Sequence, residues 1–265
     1  MMNSANIQKL IEVVKQNNKN LPYVNLDEKG NYAGWVSDFH IIDKQTLLPI
    51  KLNLSNDNDL FVLFALAACW SRTGQWENSA CFAVYLKMTG KDNALYWKNS
   101  TAVLPEKSQR HESAKKVLTR YDMAKSGEKV SFRSDFYDSL NVLAQSWETI
   151  KESLLQSESK NDYCIFIQLI SNIQGLGARS NRMRIKVPLL LRELRIQNTY
   201  KNIPGKWCCV PDQRVRDAAK NFSISLPTNA TMQSILKSSE IIYSLFGDLY
   251  DIPLFAYDDI KDCLE

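Results

Sequence analysis

Two short segments in the C-terminal half of the chain combine residue types that can bind a phosphate and stabilise a positive charge. The first is QGLGAR at 174–179, and the second is VPDQRV at 210–215. A Gly-x-Gly turn between two predicted helices presents backbone N–H groups to a phosphate oxygen. The amides in question are those of Gly175, Gly177 and Ala178. In the second segment Pro211 precedes Asp212 just before a new predicted helix, which predicts a carboxylate held in a fixed position.

Basic side chains follow the Gly-x-Gly turn without an acidic residue before Glu193. They are Arg179, Arg182, Arg184, Lys186 and Arg192. The net charge of the whole chain is only +4, so the placement of the charges says more than their sum. A charge run of this kind often lies on a solvated helix face, but its place after a phosphate-binding turn favours nucleic acid. We predict that Arg179, Arg182 and Arg214 contact DNA.

The hydrophobic pattern predicts a mainly α fold with a small N-terminal β-layer. The 265 residues suffice for one sizeable core or for one core with an appended layer. Apolar residues recur at helical spacing in most segments. The predicted helices are 4–17, 60–70, 77–88, 93–100, 112–125, 136–156, 163–173, 178–196, 212–221, 231–245 and 255–264. Alternating segments around a turn at 28–31 predict an antiparallel β-layer within 22–54. We therefore expect residues 1–54 to form a helix and this layer, and 55–265 to form a helical domain.

Six cysteines occur at irregular spacing, most of them among apolar residues. This pattern predicts reduced, buried thiols of a cytoplasmic protein rather than disulfides, and no C-x-x-C pair indicates zinc or an iron–sulfur cluster. We expect no metal and no cofactor. The longest apolar run, 60–70, is too short to span a bilayer, and the N-terminus lacks the apolar stretch of a signal peptide.

Four motifs in the same order resemble those of the archaeal-type 8-oxoguanine DNA glycosylases, a branch of the helix-hairpin-helix superfamily. That family has a Tyr…Thr-Gly-Lys segment followed by an aromatic-containing helix, and this chain has YLKMTGK at 85–91 before Tyr96 and Trp97. Its Gly-Ala-Arg hairpin matches 177–179. Its Pro-x-Asp-x-Arg-Val segment matches 211–215, one residue shorter before the aspartate. Its Ile-Pro-Pro segment, with an aspartate six positions after the isoleucine, matches IPLFAYD at 252–258.

The resemblance implies a helix-hairpin-helix fold, with the hairpin at about 163–196, and the excision of a base from DNA. Such enzymes flip a base from the stack and break its N-glycosidic bond. Asp212 matches the aspartate that stabilises the developing sugar cation and orients a water. The resemblance also implies a base pocket at Asp258, which matches a base-contacting aspartate, and at Tyr96 or Trp97. Two further pocket positions are Val187, where the family has a stacking phenylalanine, and Asn58, where it has a glutamine.

Met183 stands where the family has the lysine that forms a Schiff base with the sugar. A thioether cannot act as that nucleophile, so the simpler inference is hydrolysis by water in a monofunctional enzyme. Lys186 lies one helical turn further on and leaves open a bifunctional glycosylase/lyase. The resemblance implies a substrate like 8-oxoguanine, and the altered pocket leaves open another modified base, such as those with which some phages mask their DNA.

The resemblance thus implies a DNA glycosylase of the cytoplasm and nucleoid that acts on double-stranded DNA as a monomer, in base excision repair or phage defence. Two alternatives of another class stay open. A non-catalytic module would keep the hairpin and bind DNA without excising a base. An unrelated helical scaffold would show no salt-dependent DNA binding.

Overall fold

The computed structural model describes residues 4–21, 24–34, 41–42, 49–50, 52–70, 86–87, 89–99, 136–177, 184–229 and 231–264. This part of the chain is mainly helical, as predicted. In chain order its helices are α1 (Ser4–Gln16), α2 (Asp57–Cys69), α3 (Ala94–Lys98), α4 (Phe136–Gln145), α5 (Trp147–Lys160), α6 (Cys164–Ser171), α7 (Lys186–Ile196), α8 (Gln213–Asn221), α9 (Met232–Phe246) and α10 (Ile252–Ile260). Short 3₁₀ turns lie at Asn18–Asn20, Gly205–Trp207, Gly247–Leu249 and Lys261–Cys263.

The chain divides into two compact units, and the division differs from the predicted boundary at 54/55. The first unit combines Met1–Asp38 with Ser180–Glu265, and the second is Phe39–Arg179. The N-terminal helix belongs with the C-terminal segments because α1 packs against α10. Its inward face is apolar at helical spacing, with Ile7, Leu10 and Val14 buried. Hydrophobic periodicity identified this face but not the helix that covers it.

The second unit is built around α2, which is buried on nearly all sides as its uniformly apolar sequence predicts. The Asn56 side chain caps the helix by accepting hydrogen bonds from the backbone N–H groups of Asn58 and Asp59. On α5, Trp147 lies edge-on against two rings of α2. These rings are Phe61 and Phe64, with centroids 5.2 and 5.4 Å from the indole. Aromatic packing of this kind ties α5 to α2.

A single helix was predicted over 136–156, but the structure has two, which meet at Ser146. The prediction failed because the apolar stripe continues in register across the break. The second helix also extends beyond the predicted end, to Lys160, where Asn161 takes the left-handed conformation at φ 54°. Asparagine tolerates that conformation better than most residues and ends the helix there.

The predicted N-terminal β-layer is not confirmed. The described strands are β1 (Ile41–Ile42) and β2 (Pro49–Ile50), an antiparallel pair of two residues each in the second unit. The turn predicted at 28–31 is confirmed, but it belongs to the first unit and is flanked by a single bridge between Leu26 and Tyr32. Asp27 stabilises this turn because its Oδ1 accepts hydrogen bonds from the backbone N–H groups of Lys29 and Asn31.

Some of the other predicted helices are confirmed, and some lie partly or wholly outside the described residues. The helices predicted at 212–221 and 231–245 are confirmed as α8 and α9 within a residue. Most of 77–88 and all of 112–125 lie outside the described residues, as does 178–183 at the start of the predicted second hairpin helix. The described part of that helix is α7, with Pro188 in its first turn, where proline is tolerated.

Two of the cysteines depart from the prediction of buried thiols. Cys69, Cys208 and Cys209 are buried, but Cys164 and Cys263 are exposed. Cys164 begins α6 and Cys263 lies in the turn after α10, so both face solvent at element ends. In the described part of the chain, no helix combines the length and apolar character needed to cross a bilayer.

Candidate functional site

Asp212 is the N-cap residue of α8, in an extended conformation directly after the buried Pro211. Its Oδ1 accepts a hydrogen bond of 2.8 Å from the backbone N–H of Val215. The carboxylate therefore lies at the positive end of the helix dipole, with this oxygen engaged in the cap. Pro211 and Val215 together fix the position that the sequence predicted.

The segment Cys209–Asp212, called the aspartate segment below, is fastened by side chains as well as by its cap. Each of its first three residues forms a backbone hydrogen bond with a side chain from another part of the first unit. Cys209 N donates to Ser239 Oγ (2.8 Å), Val210 N donates to Asp251 Oδ1 (2.8 Å), and Pro211 O accepts from Arg216 Nε (2.8 Å). Contacts at successive residues leave this backbone little freedom, so the position of Asp212 is preorganised.

Burial raises the pKa of Asp212 from 3.8 to about 6. The N–H of Val215 and the charge of Arg214 act in the opposite direction, and the charge of Asp251 adds to the increase. In an Asp that only capped a helix, the N–H groups and the helix dipole would stabilise the ionised carboxylate, so its pKa would fall. A carboxylate that titrates near neutrality in a preorganised segment is a feature typical of catalytic groups.

A buried ionic cluster adjoins the aspartate segment through Asp251, which also accepts the Val210 N–H. Arg192 of α7 donates through Nη1 to Asp251 Oδ1 at 2.8 Å, and its Nε lies 3.5 Å from Glu193 Oε1. The guanidinium also stacks over the Tyr32 ring, 4.9 Å from its centroid. Desolvation alone would lower the pKa of Arg192, but the surrounding negative charges raise it, so the group stays charged. The cluster joins three segments distant in sequence inside the first unit.

Arg214, predicted to contact DNA, is engaged within the protein. Its Nη2 donates to Asp259 Oδ2 at 2.6 Å, and its guanidinium stacks on the Phe255 ring at 4.5 Å. Both partners belong to α10, so Arg214 fastens α8 to α10. Asp258, predicted to contact the base, is exposed on α10 next to this pair.

Lys186 and Val187, at the start of α7, are both buried. Lys186 is only 1% exposed, so its amine does not reach the surface in this structure. A lyase needs that amine at the sugar, and its burial counts against the alternative that uses Lys186. Val187 is equally inaccessible, so a base could stack on it only after a rearrangement of α7.

The turn 172–177, called the glycine turn below, packs tightly inside the second unit. A Cβ at Gly177 would collide with the Ser171 carbonyl oxygen, and one at Gly175 would lie 3.1 Å from the Ala68 oxygen. Gly175 also has φ +92°, which favours glycine. The Gly177 N–H, predicted to bind phosphate, donates instead to Ile173 O at 3.1 Å. Packing accounts for Gly177, and packing together with the backbone conformation accounts for Gly175.

The remaining predicted pocket residues lie in the second unit. The Trp97 side chain is 3% exposed, and its indole N–H donates to Lys91 O at 2.7 Å, so Trp97 is a core residue here. Tyr96 is partly exposed, with the Lys91 amine 5.6 Å from its ring centroid. Asn58 is partly exposed on the first turn of α2. Of these, Tyr96 and Asn58 are accessible to a ligand.

The predicted site residues divide between the two units. Those of the first unit are Asp212, Arg214, Asp258, Lys186 and Val187, and those of the second are Gly175, Gly177, Tyr96, Trp97 and Asn58. Ala178, Arg179 and Arg182 lie outside the described residues. For the residues of both units and for these three, the assignment to DNA binding or to a base pocket stays a prediction.

Sequence reasoning missed two residues that support the aspartate segment: Asp251, which accepts the Val210 N–H, and Arg192, which pairs with Asp251. Asp251 directly precedes the Ile252-Pro253 motif, and Arg192 lies in the basic stretch that follows the glycine turn. An aspartate before Ile-Pro signals a helix start, but nothing local indicates a partner 59 positions away.

Among the residues that the structure describes, no group of three or more His, Cys, Asp or Glu side chains is arranged to hold a metal ion. Comparisons with family models, curated proteins and solved structures gave no match to this chain.

Proposed function

We propose that the protein is a monofunctional DNA glycosylase that removes a damaged or modified base by hydrolysis. One observation carries the proposal: Asp212 caps α8 in a segment fastened at successive residues, in surroundings that raise the pKa of its carboxyl to about 6. The order of the four motifs supports the choice of reaction. Double-stranded DNA is the partner, and the chemistry needs no cofactor.

In the proposed reaction the bond between C1′ of the sugar and the base nitrogen breaks, and the base leaves with the electron pair. Asp212 stabilises the positive charge that develops on the sugar and orients a water. The water oxygen then adds to C1′, and its proton passes to the carboxylate or to solvent. The product is an abasic site in an otherwise intact strand. Because the carboxylate must be ionised, the rate should rise with pH through about 6 and then level off.

The test is incubation of the purified protein with duplex DNA carrying a panel of damaged and modified bases, followed by alkali. We expect strand breaks that need alkali on one of these substrates. Asp212→Asn keeps the oxygen that caps α8 and should lower the rate by about 10²- to 10³-fold. The matched control is Asp217→Asn on the same helix, an exposed aspartate paired with Lys220, which should react like the wild type.

Other outcomes point elsewhere. Breakage without alkali, with a covalent adduct trapped by borohydride, would show a lyase, and loss of that adduct in Lys186→Ala would assign its amine. No breakage on any substrate, or equal rates in the wild type and Asp212→Asn, would contradict the proposal. Salt-dependent binding without excision would then favour the non-catalytic DNA-binding module.

A further inference from the structure

The carboxylate of Asp251 serves two groups at once. It is 3% exposed, and its Oδ1 accepts both the Val210 N–H and the Arg192 Nη1–H, each at 2.8 Å. A buried carboxylate of this kind is costly to place and is stabilised here by its hydrogen bonds and its cation. Because Val210 is two residues before Asp212, the anchor of this peptide is also an anchor of the Asp212 backbone.

We propose that Asp251 is a positioning residue for Asp212. One of its oxygens fixes the peptide that leads into Pro211, and its negative charge acts on the Asp212 carboxylate. The role of Asp251 in catalysis rests on the proposed function. Its effect on the pKa of Asp212 can be measured without a known substrate.

The charged groups that face Asp212 decide the sign of this effect. Arg214 and Arg216 come from α8 itself, and Asp251 comes from the residue before α10. Arg214 is paired with Asp259 and Arg192 with Asp251, which partly offsets these two charges, whereas Arg216 donates to the carbonyl oxygens of Pro211 and Pro227. The charge of Asp251 raises the pKa of Asp212, in addition to burial.

The experiment compares the pKa of Asp212 in the wild type and in Asp251→Asn, by carboxyl-carbon NMR of the full chain. The Asp212→Asn variant identifies the signal. Asparagine keeps an oxygen for the Val210 N–H and removes the charge, so we expect the pKa of Asp212 to fall by about one unit. A shift of this sign supports the proposal, and an unchanged or higher pKa in a folded variant overturns it.

Ser239→Ala is the matched control. It removes the acceptor of the neighbouring Cys209 N–H without changing any charge, so it tests loss of a fastening alone. We expect the pKa of Asp212 in this variant to stay within about 0.3 of the wild-type value. Removal of a close charge would cause a larger shift than this. An equal fall in both variants would show a general loosening and would overturn the role of the Asp251 charge.

If Asp251→Asn does not fold, Asp251→Glu replaces it. Glutamate keeps the charge but displaces the oxygen by one methylene group, so the pKa of Asp212 should stay raised while kcat on the substrate falls about tenfold with little change in KM. A wild-type kcat in the Asp251→Glu variant would overturn the positioning role. Absence of any excision by the wild type contradicts the proposed function and leaves the pKa comparison intact, so the two failures are distinguishable.

Discussion

The glycine turn of the second unit and the aspartate segment of the first were predicted from equally short motifs, but the structure explains them differently. In the glycine turn the close approach to Ser171 and Ala68 explains both glycines, and the Gly177 N–H is satisfied by Ile173. In the aspartate segment several side chains fasten a carboxylate whose charge is disfavoured where it lies. Glycines that packing explains need no functional explanation. A carboxylate held where its charge is disfavoured indicates a functional role.

Removal of the buried cation behind the aspartate segment should have the largest effect. Arg192→Met leaves the negative charge of Asp251 buried without its partner, so we expect a loss of about 3–5 kcal/mol in the free energy of unfolding. Urea unfolding followed by circular dichroism measures it. Lys237→Met, which removes an exposed pair with Glu240, is the control and should cost under about 0.5 kcal/mol. A cost for Arg192→Met as small as this control would show that the cluster does not fasten the segment.

Gly177→Ala tests whether the glycine turn is explained by packing. The added Cβ collides with the Ser171 carbonyl, so we expect a loss of about 3 kcal/mol in the free energy of unfolding. Gly90 is the control, since it has φ +66° and no atom of the described residues lies within 4 Å of a Cβ there. Gly90→Ala should cost only about 1 kcal/mol, from backbone strain alone. Wild-type stability of Gly177→Ala with a loss of DNA affinity would reverse the comparison and make this turn a phosphate site.

Asp212→Asn should stabilise the protein at neutral pH. The folded-state pKa of Asp212 is raised, so the folded protein binds its proton more tightly than the unfolded chain does. The ionised carboxylate therefore lowers stability progressively as pH rises from about 4 to about 6, and the cost is constant above pH 7. A pKa difference of about two corresponds to about 3 kcal/mol, and partial exposure reduces our expectation to about 2 kcal/mol.

The measurement is the free energy of unfolding of both proteins between pH 4 and pH 8. The stabilisation should be absent at pH 4 and complete by pH 7. Asp217→Asn is again the matched control: hydrogen bonds from Lys220 and Gln213 lower the pKa of Asp217, so this variant should not be stabilised. Destabilisation by Asp212→Asn at pH 7 would mean that this aspartate is an ordinary helix cap.

Local patterns predicted the elements well wherever one face or one cap decides the structure. The uniformly apolar α2, and α8 with Asp212 at its start, are examples. The break at Ser146 was missed because Leu143, Trp147 and Ile150 keep helical spacing across it. Partners distant in sequence were missed for a related reason: the pairing of Arg192 with Asp251 leaves no trace in either local segment. The candidate carboxylate was thus predictable, and its support was not.

The pairing of α1 with α10 bears on the order of folding events. All of the second unit comes from consecutive residues, so its contacts can form while later parts of the chain are still being synthesised. The first unit needs α1 to wait for a helix more than 230 residues downstream, and closing so long a loop slows folding. The apolar face of α1 with Ile7, Leu10 and Val14 is therefore uncovered for most of translation. During that interval a chaperone can bind this uncovered apolar face and keep it from associating with other chains.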